Sequence, residues 1–334
     1  MKRTGNLIHK IADFENLQLA FYKAHKAKIE KPEVIAYCQH LDTNLHILQS
    51  QILSGEVEVG NYHYFTIYDP KERQICAASL PERILHHALM NVCHPVFEQQ
   101  QIFDSYATRK DKGTYAALHR AEYFQSSFKW FLKLDIRKYF DSIDHEILFK
   151  LIQRKIKDRY VLQIFRKILL SYETTAGKGL PIGSLTSQYF ANYYLSFADR
   201  YIQQELKIQA YARYMDDMVL WSNDKSILVN AKEKITEFLM DELSLRLKTN
   251  TLNSNIHGLS FLGYRVFNDK TTLNRRSKNR FIEKAKQYEN KLNTNKWTQE
   301  EYQRHILPLL AFTSHAETKG LREKVFRYSG EQFN

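Results

Sequence analysis

Three carboxylates on two separated segments carry the chemistry of this chain. Tyr214-Met215-Asp216-Asp217 falls at the turn of a strand-turn-strand pattern, and Asp135 ends an apolar strand 81 positions before Asp216. Oxygen ligands drawn from two backbone segments suit a pair of Mg2+ ions about 3.5–4 Å apart, which stabilises attacking and leaving oxygens together in nucleotidyl transfer. A solvated Asp-Asp turn is the plainer reading of the pair alone. Asp135 and the loops around it weigh against that reading.

The elements that must position these groups are legible as alternation. From Lys129 to Ile136, residues Trp130, Leu132, Leu134 and Ile136 share one strand face, and Phe131, Lys133 and Asp135 share the other. Asp135 therefore leaves on the less apolar face. Tyr211-Ala212-Arg213-Tyr214 reads as a second strand, Met215-Asp216 as a turn, and Met218-Val219-Leu220-Trp221 as the returning strand, all rich in β-formers. A tight turn can aim neighbouring carboxylates at one place.

The 334 residues, 43% hydrophobic, are enough for two or three packed subdomains. Charge is the unusual feature. Lys and Arg number 49 against 37 Asp and Glu, a formal +12 that favours polyanionic partners. Residues 270–334 hold 14 of those cations and 7 of the anions, so +7 of the excess lies there, and this stretch is the expected nucleic-acid grip. Cys38, Cys76 and Cys93 are too scattered for a disulfide framework or a zinc site, which points to a reducing cytosol. No apolar run approaches a membrane span and no signal-type core follows Met1-Lys2-Arg3, so no membrane partner is expected. His86-His87 reads as helix packing, because sequence neighbours rarely share a metal face on a helix.

Along the chain, residues 1–60 read as an N-terminal helical extension, with one apolar stripe through Val34, Ile35, Cys38, Leu41, Leu45 and Leu48. A hairpin with a basic tip, Asp69-Pro70-Lys71-Glu72-Arg73, follows, and then a helix opening near Pro81. Ser105 to Thr114 forms a second basic loop, and Asp144 is placed to cap a helix. The glycine-rich loop around Pro181 feeds a helix expected from about Ser187 to Leu206. Its stripe of Phe190, Tyr194, Phe197 and Tyr201 reads as core.

Over about residues 62–267 these segments, in this order, resemble the reverse transcriptases. Asp135-Ile136-Arg137-Lys138-Tyr139-Phe140-Asp141 looks like the first catalytic motif of the palm, and Tyr214-Met215-Asp216-Asp217 like the second. Gly179-Leu180-Pro181-Ile182-Gly183-Ser184-Leu185-Thr186-Ser187-Gln188 looks like the nucleotide and template loop, and Phe261-Leu262-Gly263-Tyr264 like the primer-gripping hairpin. The resemblance implies an α+β right-hand polymerase fold: fingers and palm over 61–268, the palm with an antiparallel sheet, and a short, basic helical thumb over 269–334. It implies an RNA-directed DNA polymerase whose two Mg2+ ions are held by Asp135, Asp216, Asp217 and the backbone carbonyl of Ile136. Arg73, Lys71, Lys138, Tyr139, Phe140 and Ile182 would face the incoming dNTP, with Phe140 the bulky residue that rejects a 2′-hydroxyl. Template and primer contacts would fall to Arg109, Gly183, Ser187, Gln188, Tyr214, Gly263, Arg275, Arg276 and Lys278. Lys248 is the nearest lysine to the family's general acid for pyrophosphate.

The loop narrows the resemblance. Many bacterial reverse transcriptases carry glutamine after the loop proline, where this chain has Ile182; that residue, the terminal Ser187-Gln188, Ser105-Tyr106-Ala107, Lys112-Gly113-Thr114 and His86-His87-Ala88 are similar to the enzymes of diversity-generating retroelements. This implies copying of a template-repeat RNA into cDNA with errors concentrated at adenines, aided by a small basic accessory variability protein. The chain ends soon after the expected thumb, which argues against a self-mobile intron enzyme. A retron or phage-defence reverse transcriptase is the alternative within the class. A non-catalytic RNA-binding scaffold is the alternative outside it, and clustered carboxylates, costly without a metal, count against that.

Overall fold

The computed structural model describes residues 3–68 and 72–330. In chain order its helices and strands are α1 (Ile8–Ile11), α2 (Phe14–His25), α3 (Pro32–Cys38), α4 (Leu41–Ser54), β1 (Tyr62–Ile67), β2 (Arg73–Ala78), α5 (Leu80–Glu98), α6 (Thr114–Ser127), β3 (Trp130–Ile136), α7 (Tyr139–Ser142), α8 (His145–Gln153), α9 (Arg159–Leu170) and α10 (Leu185–Arg200). They continue with β4 (Tyr211–Tyr214), β5 (Asp217–Ser222), α11 (Lys225–Leu243), β6 (Leu247–Ser254), β7 (Leu259–Phe261), β8 (Tyr264–Val266), β9 (Thr271–Leu273), α12 (Arg275–Asn293), α13 (Gln299–Ser314) and α14 (Lys319–Gly330). The chain divides into two interleaved compact units.

The first unit comprises Met1–Phe103, Ile136–Lys207 and Lys234–Lys248. Helix formation here follows local signals. Asp144 caps α8 as its position predicts, its carboxylate accepting from the N–H groups of Glu146 and Ile147, a contribution of about 1 kcal/mol. Asp158 caps α9 and also takes the N–H groups of Leu7 and Ile8, which pins the N-terminal segment to that helix. The stripe read from Val34 to Leu48 is not one helix. His40 leaves helical geometry between α3 and α4, so Val34, Leu45 and Leu48 are buried while Ile35 and Cys38 face outward. Phe97 of α5 meets Phe165, Phe190 and Tyr193 edge-on or tilted; Phe190 and Tyr194 are fully buried, so the first half of the aromatic stripe is core as expected, while Phe197 and Tyr201 are half-buried. Helix α10 opens two residues before Ser187 and passes into a π-helical turn at Tyr201–Glu205. β1 and β2 pair antiparallel, Tyr62 with Ala78 through Ile67 with Arg73.

The second unit comprises Asp104–Asp135, Ile208–Glu233 and Thr249–Asn334. Its sheet runs β4-β5-β3-β6, with β3 and β4 each antiparallel to β5. The alternation read from the sequence places Phe131 and Trp221 opposite one another in a core shared with Tyr264 and Phe281. Trp221 satisfies its indole N–H on Gln125, whose amide in turn donates to the carbonyl of Asn255. A second sheet, β7-β8-β9, extends the expected primer-gripping hairpin by a strand that lies beyond residue 268, before the three helices of the basic tail begin. Among the described residues no helix is long and apolar enough to cross a membrane.

Candidate active site

Strand pairing sets two of the three carboxylates opposite each other. Asp135 at the end of β3 lies directly across from Asp217 at the start of β5, and Tyr214 closes the hairpin on Asp217, leaving Met215 and Asp216 as a two-residue turn. All three aspartates are half-buried and belong to the second unit. Met215 sits at φ +54°, a left-handed conformation that costs a non-glycine residue about 1 kcal/mol or more.

Arg213 offsets that cost. Its guanidinium is fully buried and donates to the Met215 carbonyl at 2.9 Å. Its backbone N–H donates to the Asp104 carbonyl at 2.9 Å, and its own carbonyl accepts from Tyr106 N–H at 3.0 Å. Asp104 is gripped in turn by the Nε and Nη2 of Arg120 at 2.9 and 3.0 Å and by the Tyr106 hydroxyl at 2.7 Å. This polar platform under the turn escapes a reading aimed at carboxylates. Its one signal in the sequence is a cation, Arg213, inside an otherwise apolar strand.

Charge at the turn is partly balanced. Lys133, two residues before Asp135 on β3, places Nζ 3.0 Å from Asp217 Oδ1 and donates to the Ser260 carbonyl at 3.0 Å. The Asp135 carboxylate makes no hydrogen bond or ion pair to another described residue. A half-buried carboxylate near two more at one turn offers hard oxygen donors, whose chemistry suits a hard divalent cation and not a soft metal. Among the described residues no group of three His, Cys, Asp or Glu side chains is already gathered as a metal cluster.

In the first unit the loop read as facing the nucleotide is clamped to β2. The Ile182 carbonyl accepts from Cys76 N–H at 2.8 Å, and Gly183 lies at φ +117° with room for no Cβ, which would meet Ile75 Cγ2 at 2.9 Å. Ile182 is half-buried. Arg73 opens β2, exposed, and its guanidinium has no partner among the described residues; Lys71 lies outside them. Lys138 is exposed at φ +46°, the N-cap of the short α7, and the Ser142 hydroxyl bonds to the carbonyls of Arg137 and Lys138. The Tyr139 side chain points inward, its hydroxyl donating to the Ala191 carbonyl at 2.5 Å, and half-buried Phe140 stands edge-on to it. Ile136 and Ser187 are buried, and Gln188 is half-buried.

The expected template and primer residues differ in setting. Arg109 donates to the Ser105 carbonyl at 2.6 Å, and the Tyr214 hydroxyl accepts from Thr114 at 3.2 Å. Gly263, at φ +94°, packs so closely on Ser277 and Phe312 that a Cβ would meet Phe312 Cζ at 2.9 Å. Arg275, Arg276 and Lys278 are exposed on the first turn of α12, and Lys248 is exposed on β6.

An antiparallel sheet with a carboxylate at the end of its central strand and two more at the adjoining hairpin turn is the palm of a right-hand polymerase. Residues 69–266 match the family described as reverse transcriptase (RNA-dependent DNA polymerase). Protein YkfC of Escherichia coli K12 is 23% identical over 309 residues, 78% of this chain and 81% of that protein. The group II intron-encoded protein LtrA of Lactococcus lactis subsp. cremoris is 30% identical over 145 residues, 40% of this chain and 23% of LtrA. The retron Ec83 reverse transcriptase of Escherichia coli is 27% identical over 177 residues, 49% of this chain and 56% of that enzyme. The chain thus spans most of YkfC, about half of the retron enzyme and under a quarter of LtrA. It belongs to the reverse transcriptase family, and its enzyme class is RNA-directed DNA polymerase.

Proposed function

We propose that this enzyme copies a template-repeat RNA into cDNA with errors concentrated at template adenines, the reaction of a diversity-generating retroelement. The observation that carries the reading is Ile182, a branched alkyl side chain in the loop where many relatives by resemblance carry glutamine. Its backbone is held by β2 and its side chain is only half-buried, so a hydrocarbon rather than an amide is offered beside that strand. An alkyl group packs but makes no polar contact with a nascent pair, and mispairs meet less discrimination.

Catalysis in this reading rests on Asp135, Asp216, Asp217 and the Ile136 carbonyl as ligands of two Mg2+ ions. Bound there, such ions would supply charge neutralisation and lower the cost of deprotonating the attacking hydroxyl. The chain itself positions: β3 and β5 set Asp135 opposite Asp217, Arg213 stiffens the turn, and the exposed Arg73 offers a guanidinium fork for the triphosphate. Phe140 guards the sugar, and Lys248 is the candidate proton donor to pyrophosphate. Residues 1–60 serve as a helical extension, 61–268 as fingers and palm, and 269–334 as the thumb. The exposed Arg275, Arg276 and Lys278 crowd the positive end of α12, a placement that opposes the helix dipole and suits a phosphate partner. A small basic accessory protein completes the assembly.

A retron-type role is the second reading, favoured by the similarity to the Ec83 enzyme. Sequencing cDNA made by the purified enzyme on the template-repeat RNA from its own locus separates the two. Substitutions concentrated at adenine positions support diversification; uniform fidelity, or activity only on a structured RNA that primes its own copying, overturns it.

A further inference from the structure

Buried polar atoms without hydrogen bonds are uncommon and call for a reason. Two of them face each other in the first unit. His86 Nε2 and Glu82 Oε1, one turn apart on α5, lie 3.6 Å from each other, both side chains buried, and neither atom bonds to any other described residue. The far sides of both groups are engaged. Glu82 Oε2 accepts from Gly60 N–H at 3.1 Å, at the root of the β1-β2 hairpin, and His86 Nδ1 is 3.1 Å from the Ser184 hydroxyl.

Ser184 shows what the chain is for. It occupies the N-cap of α10, where a serine ordinarily accepts a backbone N–H of the first turn, yet it makes no cap bond. Its hydroxyl is turned instead to His86 and to Thr186 Oγ1 at 3.0 Å. The residue gives up its local role for a partner 98 positions away. Ser184 directly follows Gly183 and Ile182, which are clamped on the other side by Cys76 and Ile75 of β2.

We propose that Glu82, His86 and Ser184 form a buried positioning relay that couples the root of the β1-β2 hairpin to the loop 182–184 and thereby sets nucleotide selection. The inference rests on the reading of that loop and of the Arg73 hairpin as nucleotide-facing. Two elements that meet a nucleotide in that reading are held by two bonded arms, Gly60 N–H to Glu82 on one side and His86 to Ser184 and Thr186 on the other, whose inner ends face each other at 3.6 Å as an electrostatic contact. A polar chain enclosed in a core has few alternative arrangements, so it fixes the relative placement of the elements it joins more sharply than apolar contact does. Burial, with the neighbouring His87 adding repulsion, lowers the His86 pKa to about 3, and burial raises that of Glu82. The imidazole is therefore neutral, with one N–H and one lone pair, and the Glu82 oxygen facing Nε2 favours the proton there, leaving Nδ1 to accept from Ser184.

The test is steady-state dNTP incorporation by the full chain on an RNA template with a DNA primer, together with error sequencing and thermal unfolding. Ser184→Ala removes the last link with almost no change in volume, and Glu82→Gln keeps the shape of the first. Each is expected to raise KM for dNTP roughly tenfold and shift the misincorporation frequency severalfold, with kcat at saturating dNTP and primer-template affinity within about twofold of wild type. Ser184→Thr restores the hydroxyl and with it the wild-type KM. Unchanged KM and error frequency in both variants overturn the relay. So does a loss of kcat, KM and unfolding temperature together that threonine does not rescue. Ile182→Ala is the companion arm: if it raises KM while Ser184→Ala does not, the relay fails and the loop reading stands. If neither raises it, both fail.

Discussion

Lys133 Nζ lies 3.0 Å from Asp217 Oδ1, so a cation from the central strand occupies the carboxylate that the hairpin turn presents beside Asp135. Both side chains are about one-quarter exposed, which keeps the pair's net contribution to stability below about 1 kcal/mol. Its larger effect falls on the charge available to a divalent ion. Lys133→Met is expected to lower the Mg2+ concentration for half-maximal primer extension severalfold, on the order of 1 kcal/mol of ion affinity. A Mg2+ titration of extension rate checks this, and a higher requirement would contradict it.

Asp135→Asn and Asp216→Asn keep shape while removing the charge proposed to hold metal. Each is expected to cut extension by about a thousandfold or more, roughly 4 kcal/mol of barrier, with RNA binding retained. Relief of carboxylate repulsion should leave the unfolding temperature equal or higher. Wild-type activity in either variant removes the metal-ligand assignment, and a lost fold makes the residue structural.

Arg213→Met tests the platform under the turn. Loss of the buried guanidinium leaves the Met215 carbonyl without that donor and the left-handed Met215 without support. The expected cost is about 2–4 kcal/mol in denaturant unfolding, with extension reduced even where the protein stays folded. Unchanged unfolding and extension would show that the turn keeps its geometry without Arg213.

Arg275, Arg276 and Lys278 stand exposed where α12 begins. If they hold phosphates, replacing all three with Gln reduces the slope of log affinity against log salt by about 0.7–0.9 for each phosphate no longer neutralised. Filter binding of RNA-DNA duplex across a salt series measures it. A slope identical to wild type assigns the three to solvent.

Ile182→Gln restores an amide beside the strand that holds the loop. Misincorporation opposite template adenine is expected to fall about tenfold, equivalent to ~1.4 kcal/mol of discrimination, while primer extension persists. Equal adenine error rates in mutant and wild type, on the same RNA and at matched product length, place the infidelity elsewhere.

The strand that carries Asp135, the hairpin that presents Asp216 and the cap at Asp144 were all legible in the sequence, because each is declared by local chemistry. Alternation, turn residues and a capping carboxylate act within a few positions of the backbone they organise. The register that sets Asp135 against Asp217, by contrast, joins segments far apart in the chain and is decided by which faces the sheet can bury. The same holds for Arg213 beneath Met215, for the break at His40 that turned one apolar stripe into two helices, and for Ser184 abandoning its cap for His86. His86 read as a packing histidine, and packed it is, but its bond to Ser184 exists only once α5 and the loop after Pro181 are folded against each other. Local pattern determines what each segment can become. Burial and long-range hydrogen bonding, which remove the solvent alternatives, decide which distant partner each polar group takes.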